Sequence, residues 1–128
     1  MKLLLDTNTV FWWLIEQDKL STPAHSAIES EASEVYVSVV SAWEMAIKVG
    51  LGKWPEALPL IDAFETSLAT ASFRLLPITV AHARTSGLMQ HRHSDPFDRL
   101  LVAQAMIEGL TLVTSDRTVH GMGAPWLW

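Results

Sequence analysis

No cysteine occurs among the 128 residues. Disulfides, zinc–thiolate sites and thiol nucleophiles are therefore excluded, and a reducing cytoplasm is the expected setting. No apolar run approaches the roughly 20 residues of a membrane span. The opening Met1-Lys2-Leu3-Leu4-Leu5-Asp6 meets a carboxylate too early for a signal peptide and reads as a buried strand. Positive charge is scarce: nine Lys and Arg stand against fourteen Asp and Glu, a formal net charge of −5. That balance counts against general nucleic-acid binding, so any phosphate contact must come from a local cluster. Repeats, low-complexity tracts and linker-like stretches are also missing. What is present is ample apolar material, 49% of the chain, enough to bury a full core. The length suits one domain over residues 1–128.

The pattern along the chain alternates strand and helix. Leu3–Leu5 is a short apolar strand, and Asn8–Glu16 follows as a helix with Val10, Trp13 and Leu14 on one side. Ser21-Thr22-Pro23 is a helix start, with a hydroxyl cap and proline in the first turn, and that helix runs to about Ser30. Val35–Val39 is β-rich and predicts a second strand. Ser41 is expected to cap a helix that stops near Gly50-Leu51-Gly52. Pro59–Thr70 predicts one amphipathic helix, and Phe73–Leu76 a third strand. Thr79 caps a helix to about Met89, and Asp95-Pro96 opens another that ends at Gly109. Leu110–Val113 is a fourth strand, and the tail around Pro125-Trp126-Leu127-Trp128 has room for a short edge strand. Such alternation predicts an α/β domain with a central, mainly parallel sheet flanked by helices on both faces. Ligands of such sheets bind beyond the carboxyl ends of the strands.

Four acids fall at that rim. Asp6 ends the first strand and Asp116 follows the fourth. Glu44 is expected in the first turn of the helix after strand two, and Asp98 in the first turn of the helix opened by Pro96. Each has a structural use as well. Asp6 suits a helix cap, Glu44 pairs with Lys48 at i, i+4, Asp98 suits a capping box behind Asp95, and Asp116 suits a turn. Their common placement carries the functional argument. Clustered carboxylates repel unless a cation sits among them. An all-oxygen acidic set suits a hard divalent ion, magnesium or manganese. Such an ion activates water and shields a phosphodiester, so the chemistry expected is phosphate-ester hydrolysis.

These residues also resemble a known family. Leu3-Leu4-Leu5-Asp6-Thr7-Asn8 and Val39-Val40-Ser41-Ala42-Trp43-Glu44-Met45-Ala46-Ile47-Lys48 resemble the first two motifs of PIN-domain toxins of the VapC family. His93-Ser94-Asp95-Pro96-Phe97-Asp98-Arg99 resembles its third motif, and Leu112-Val113-Thr114-Ser115-Asp116 its fourth. The resemblance spans nearly the whole chain, in order and spacing. It implies a PIN fold, magnesium-dependent endoribonuclease activity with RNA as substrate, a cognate antitoxin and a homodimer. It also implies that Asp6, Glu44, Asp98 and Asp116 form the acidic quartet, with Asp6 and Asp98 the closest matches to direct metal ligands. Asn8 stands where many relatives carry histidine, and the residues after Asp116 diverge from the commoner pattern.

Around the quartet, Thr7 and Thr114 are candidate hydroxyl donors that fix carboxylate geometry. Arg99 is a candidate phosphate contact, its alternative a surface ion pair. His91-Arg92-His93 with Arg99 is the densest basic cluster, and Lys48 and Lys53 extend it. Such a patch can track a single strand; its alternative is an ordinary polar loop. The six tryptophans suit core packing or a protein interface better than base stacking. Rival readings are a haloacid-dehalogenase or receiver-type domain, a non-enzymatic cation-binding module, and a PIN nuclease of RNA processing without an antitoxin. The first lacks its second aspartate at Asp6-Thr7-Asn8, and the receiver lacks its mid-chain aspartate and late lysine.

Overall fold

A computed structural model of the chain describes residues 1–90 and 95–128. Its centre is a parallel five-stranded sheet in the order β3-β2-β1-β4-β5, formed by β1 Lys2–Leu5, β2 Glu34–Ser38, β3 Arg74–Leu76, β4 Thr111–Val113 and β5 Trp126–Leu127. The helices are α1 Thr7–Ile15, α2 Thr22–Glu29, α3 Val39–Gly50, α4 Leu58–Asp62, α5 Phe64–Thr70, α6 Val80–Leu88, α7 Pro96–Glu108 and α8 Arg117–His120.

The strand β1 explains the layering. Leu3, Leu4 and Leu5 have no exposed surface. Alternate side chains of a strand point to opposite faces. Leu3 and Leu5 accordingly join a core with Val10, Phe11, Val37 and Met45. Leu4 joins the other, with Val40, Leu101, Val102 and Leu112. A parallel sheet covered on both sides needs such a continuous apolar run.

The connectivity fixes where a site can form. β1 is paired on one side with β2 and on the other with β4. The strand order therefore reverses between β1 and β4, and a crevice opens beyond their carboxyl ends. Asp6 and Thr114 follow those two strands directly. The seam is tied across by the Asp6 amide and the Thr9 hydroxyl, each donating to the Val113 carbonyl at 3.1 Å.

Helix starts and stops largely follow local chemistry. Ser21 accepts from the Ala24 amide. Thr79 and His82 close a capping box. Asp95 caps α7 with Pro96 in its first turn, and Gly109 ends it in the left-handed region at φ 68°. Arg99 binds α7 to the end of α6 by donating to the carbonyls of Ser86, Gly87 and Met89.

Four expectations need correction. Ser38, not Ser41, caps the third helix, accepting from the Val40 amide at 3.0 Å. Val39 and Val40 are β-branched and prolong the strand pattern in the sequence, but the Ser38 cap turns them into helix. Glu44 is consequently in the second turn of α3. The segment 59–70 is two helices, interrupted at Ala63 (φ −120°, ψ 33°). There the Ala63 amide donates to the Leu60 carbonyl at 3.2 Å, a tighter turn than the helical ladder. Asp116 opens a helix of its own, α8. Trp12 and Trp13 are both half-buried, Trp12 against Trp128 and Trp13 against Phe73. The tail does form the edge strand, parallel to β4. Among the described residues no helix is long and apolar enough to cross a membrane.

Leu4→Ala empties a site packed from both neighbouring strands and one face of helices, and should cost about 3 kcal/mol. Gly109→Ala, which strains only a helix end, should cost about 1 kcal/mol. Urea denaturation checks the ranking; equal midpoints for the two variants would contradict the two-sided core.

Candidate active site

The carboxyl-end rim holds a polar cavity of about 130 Å³ lined by Asp6, Thr7, Asn8, Glu44, Lys48, Asp95, Asp98, Ser115 and Asp116. All four quartet acids border it, together with Asp95, which the sequence assigned only to capping. A larger hollow of about 400 Å³ lies elsewhere, between Leu14 and Ile15 of α1 and the α4–α5 segment. Its lining has no titratable side chain, so the acid–base chemistry belongs to the smaller cavity.

Each acid is placed by a local cause. Asp6 caps α1 by accepting from the Thr9 amide at 2.8 Å. Asp95 caps α7, its Oδ1 accepting from the Phe97 amide at 2.9 Å and the Asp98 amide at 3.4 Å. Asp98 is the third residue of that helix. Asp116 caps α8, its Oδ1 accepting from the Thr118 amide at 2.9 Å. Glu44 projects from α3 with only 6% of its surface exposed and pairs with the Lys48 ammonium at 3.0 Å. The structural readings of Asp6 as cap and of Glu44 as partner of Lys48 therefore hold alongside the common cavity. Asp116 goes further than a turn and caps a helix.

The electrostatics centre on Asp6. Its carboxyl pKa is raised, first by burial and least by the charge of Glu44. Hydrogen bonds from Thr114 and Thr9 pull it back down. Thr114 is fully buried and its hydroxyl accepts from the Asp116 amide at 3.1 Å. With its oxygen so engaged, its proton is directed at Asp6, and one threonine links two acids. Thr7, the other hydroxyl singled out from the sequence, donates instead to the Ser41 hydroxyl at 3.0 Å and fastens α1 to α3. Arg99 serves the α6 carbonyls, a use that neither of its sequence readings included. Arg92, with His91 and His93, lies outside the described residues. Lys48, Asp95, Asn8 and Ser115 complete the cavity wall. For Lys48 and Asp95 the signal was their spacing from Glu44 and Asp98; for the other two it was only their nearness to Asp6 and Asp116.

Five carboxylates and one ammonium line the cavity. Among the described residues, no group of three or more acids or histidines is poised as it stands to hold an ion. The oxygen-rich lining is of the chemical type that a hard divalent ion such as magnesium takes. Magnesium keeps several waters and is typically reached by one or two carboxylates directly, the others acting through water. Within that lining, the half-buried Asp6 carboxyl with its raised pKa lacks compensating positive charge.

The comparisons agree with this architecture. The family described as PIN domain matches residues 3–123. A curated relative, ribonuclease VapC22 of Mycobacterium tuberculosis, is 32% identical over 124 residues, covering 96% of this chain and 93% of its own. Among solved structures, VapBC2 from Rickettsia felis bound to a promoter DNA fragment aligns with TM-score 0.72 at 15% identity, over 100% of this chain and 99% of that one. VapC20 of Mycobacterium tuberculosis, described as a sarcin-ricin loop cleaving toxin, aligns with TM-score 0.66 at 17% identity, over 95% of each chain. The solved structures speak to the fold; the family match and the curated relative, extending over nearly the whole chain, establish that this protein belongs to the PIN-domain family as a VapC-type member.

Proposed function

We propose that this protein is a magnesium-dependent endoribonuclease, manganese being an alternative ion, and that it is a homodimeric toxin held in check by a cognate antitoxin. The observation that carries the nuclease reading is the convergence of Asp6, Glu44, Asp98 and Asp116 on one oxygen-lined cavity at the β1–β4 crevice. Kinship supports the choice of RNA, since the curated relative is a ribonuclease. The antitoxin is supported by structural neighbours that are VapBC complexes.

In this reading Asp6 and Asp98 would hold the cation directly, and Glu44 and Asp116 would act on it directly or through water. The bound ion supplies charge neutralisation at the phosphate and a lower pKa for the attacking water. Glu44 and Asp116 orient that water and accept its proton. Water oxygen bonds to phosphorus in line as the bond to the 3′ oxygen breaks. The products are a 5′ phosphate and a 3′ hydroxyl, whose proton comes from solvent. Thr114 aims the Asp6 carboxylate and works against the rise in its pKa that burial imposes.

Asp6→Asn preserves the cap, because asparagine caps as well as aspartate, but removes an anionic ligand. Magnesium-dependent cleavage of a mixed RNA pool should fall at least about 100-fold, and Thr114→Val, which loses only a supporting bond, by about 10- to 100-fold. Wild-type cleavage that persists in chelator, or full activity of Asp6→Asn, would refute the assignment.

A second expectation concerns pH and needs no turnover. The raised pKa of Asp6 means that the folded state binds its proton more readily than the unfolded chain. Stability then falls as pH rises through the window that starts near the ordinary value of 3.8 and ends at the raised one. Metal-free Asp6→Asn escapes that cost. It should melt above wild type at neutral pH, with the advantage shrinking as pH is lowered through the window, and added magnesium should narrow the gap at neutral pH. Thermal melts in chelator against pH test this, and a constant difference at all pH values would count against a desolvated Asp6.

A further inference from the structure

We propose that Lys48 is a resident counter-ion of the cavity, which competes with a divalent cation for Glu44 and turns to the substrate phosphate when that cation is bound. The proposal rests on the nuclease reading above and extends it to a residue outside the acidic quartet.

Position comes first. Glu44 and Lys48 are four residues apart on α3, so they share one helical face. Their contact is 3.0 Å, and the two ends of the pair are unequal: the Glu44 side chain is 8% exposed and that of Lys48 41%. The carboxylate lies deep and the ammonium reaches it from the mouth. An ordinary helix-surface pair has both ends in water. Here the acid has been taken out of water, and Lys48 is the one cationic side chain among the described residues lining the cavity, against five carboxylates.

Lys48 also has a second resting place. Its ammonium lies 5.6 Å from the centroid of the Trp54 ring. The chain after α3 folds back so that the Trp54 amide donates to the Lys48 carbonyl at 3.3 Å. The ring itself is braced by Phe11, with centroids 4.9 Å apart. An aromatic face attracts a cation without neutralising it. An ammonium displaced from Glu44 can thus stay at the cavity edge, still charged. Lysine suits this exchange, because its flexible stem carries a compact point charge with three rotatable donors.

The exchange follows from charge. A divalent ion reaching Glu44, directly or through water, meets an ammonium on the same carboxylate and repels it. By linkage, whatever strengthens the Lys48–Glu44 contact weakens divalent binding by the same factor, and the reverse. The substrate phosphate then brings negative charge to the mouth, where the released ammonium lies.

Lys48→Met keeps an apolar stem on Trp54 and loses the charge, while Lys48→Arg keeps the charge. Manganese binding to the RNA-free protein is measured by calorimetry. The KM and kcat for a single-stranded RNA are measured at saturating magnesium, over a range of salt. For Lys48→Met, manganese should bind about threefold tighter, the size of effect a part-exposed ion pair carries. KM should rise about threefold in the same variant, and the slope of log affinity against log salt should become shallower by about 0.7, one single-strand phosphate contact. Lys48→Arg should stay near wild type in manganese affinity. Opposite signs in the two measurements are the signature, since a merely structural lysine would weaken both or move neither. Unchanged or weaker manganese binding in Lys48→Met, or an unchanged KM, overturns the proposal while wild type still binds metal and cuts RNA. A wild type that does neither overturns the nuclease reading beneath it.

Discussion

The partial burial of one carboxylate, that of Asp6, is the constraint around which the site is arranged. Three fully buried leucines lead into it, and its amide is bonded to Val113 across the seam, so the backbone holds the side chain at the cavity. Sheet formation itself therefore delivers a charge to the crevice between β1 and β4. The fold offsets part of the desolvation with the Thr9 amide and the Thr114 hydroxyl, and the pKa remains raised all the same. A group left in that condition has two remedies, a proton or a cation. At neutral pH, in a cavity shared with four other acids, the cation is the one with chemistry to offer.

Capping and ligation are two uses of the same atoms here. Asp6, Asp95 and Asp116 each accept amides at the start of a helix, α1, α7 and α8 respectively. A cap bond is local and geometrically demanding, so it fixes a carboxylate to within a rotamer. Three helix starts meeting at one rim thereby fix three acids without any contact between them. The helix amides supply partial positive charge and make the crowding tolerable. They cannot move with a reacting phosphate, which is why a mobile cation remains useful. A structural explanation of each acid is accordingly no argument against a shared function.

Much of this could be read in the sequence. Apolar runs stopping at Asp6 and before Asp116 marked the strand ends, and Ser21, Thr79, Asp95-Pro96 and Gly109 marked helix boundaries, because their signals are local. What escaped depended on choices between near neighbours or on distant contacts. Ser38 and Ser41 flank the same two valines, and only the amide each hydroxyl reaches distinguishes cap from core. Ser41 turned out to be the acceptor of Thr7, 34 residues away. The break at Ala63 has no glycine or proline beside it to mark it, so periodicity does not register it. Asp95 was legible as a cap but not as a cavity wall, since that requires knowing which strand ends adjoin.

The scarcity of positive charge acquires a sharper meaning once the contacts are drawn. Of the nine lysines and arginines, Lys2 and Arg74 lie at 4.0 Å from Glu34, Lys19 pairs with Glu16, and Arg99 is bonded to the end of α6. Lys48 is paired within the cavity. Five of the eight lysines and arginines among the described residues are thus already engaged, and each phosphate neutralised adds its own increment to affinity and to salt dependence. A nuclease built this way gains little from binding RNA at large. In the proposed ribonuclease reading, selectivity then rests on the cavity mouth rather than on overall charge.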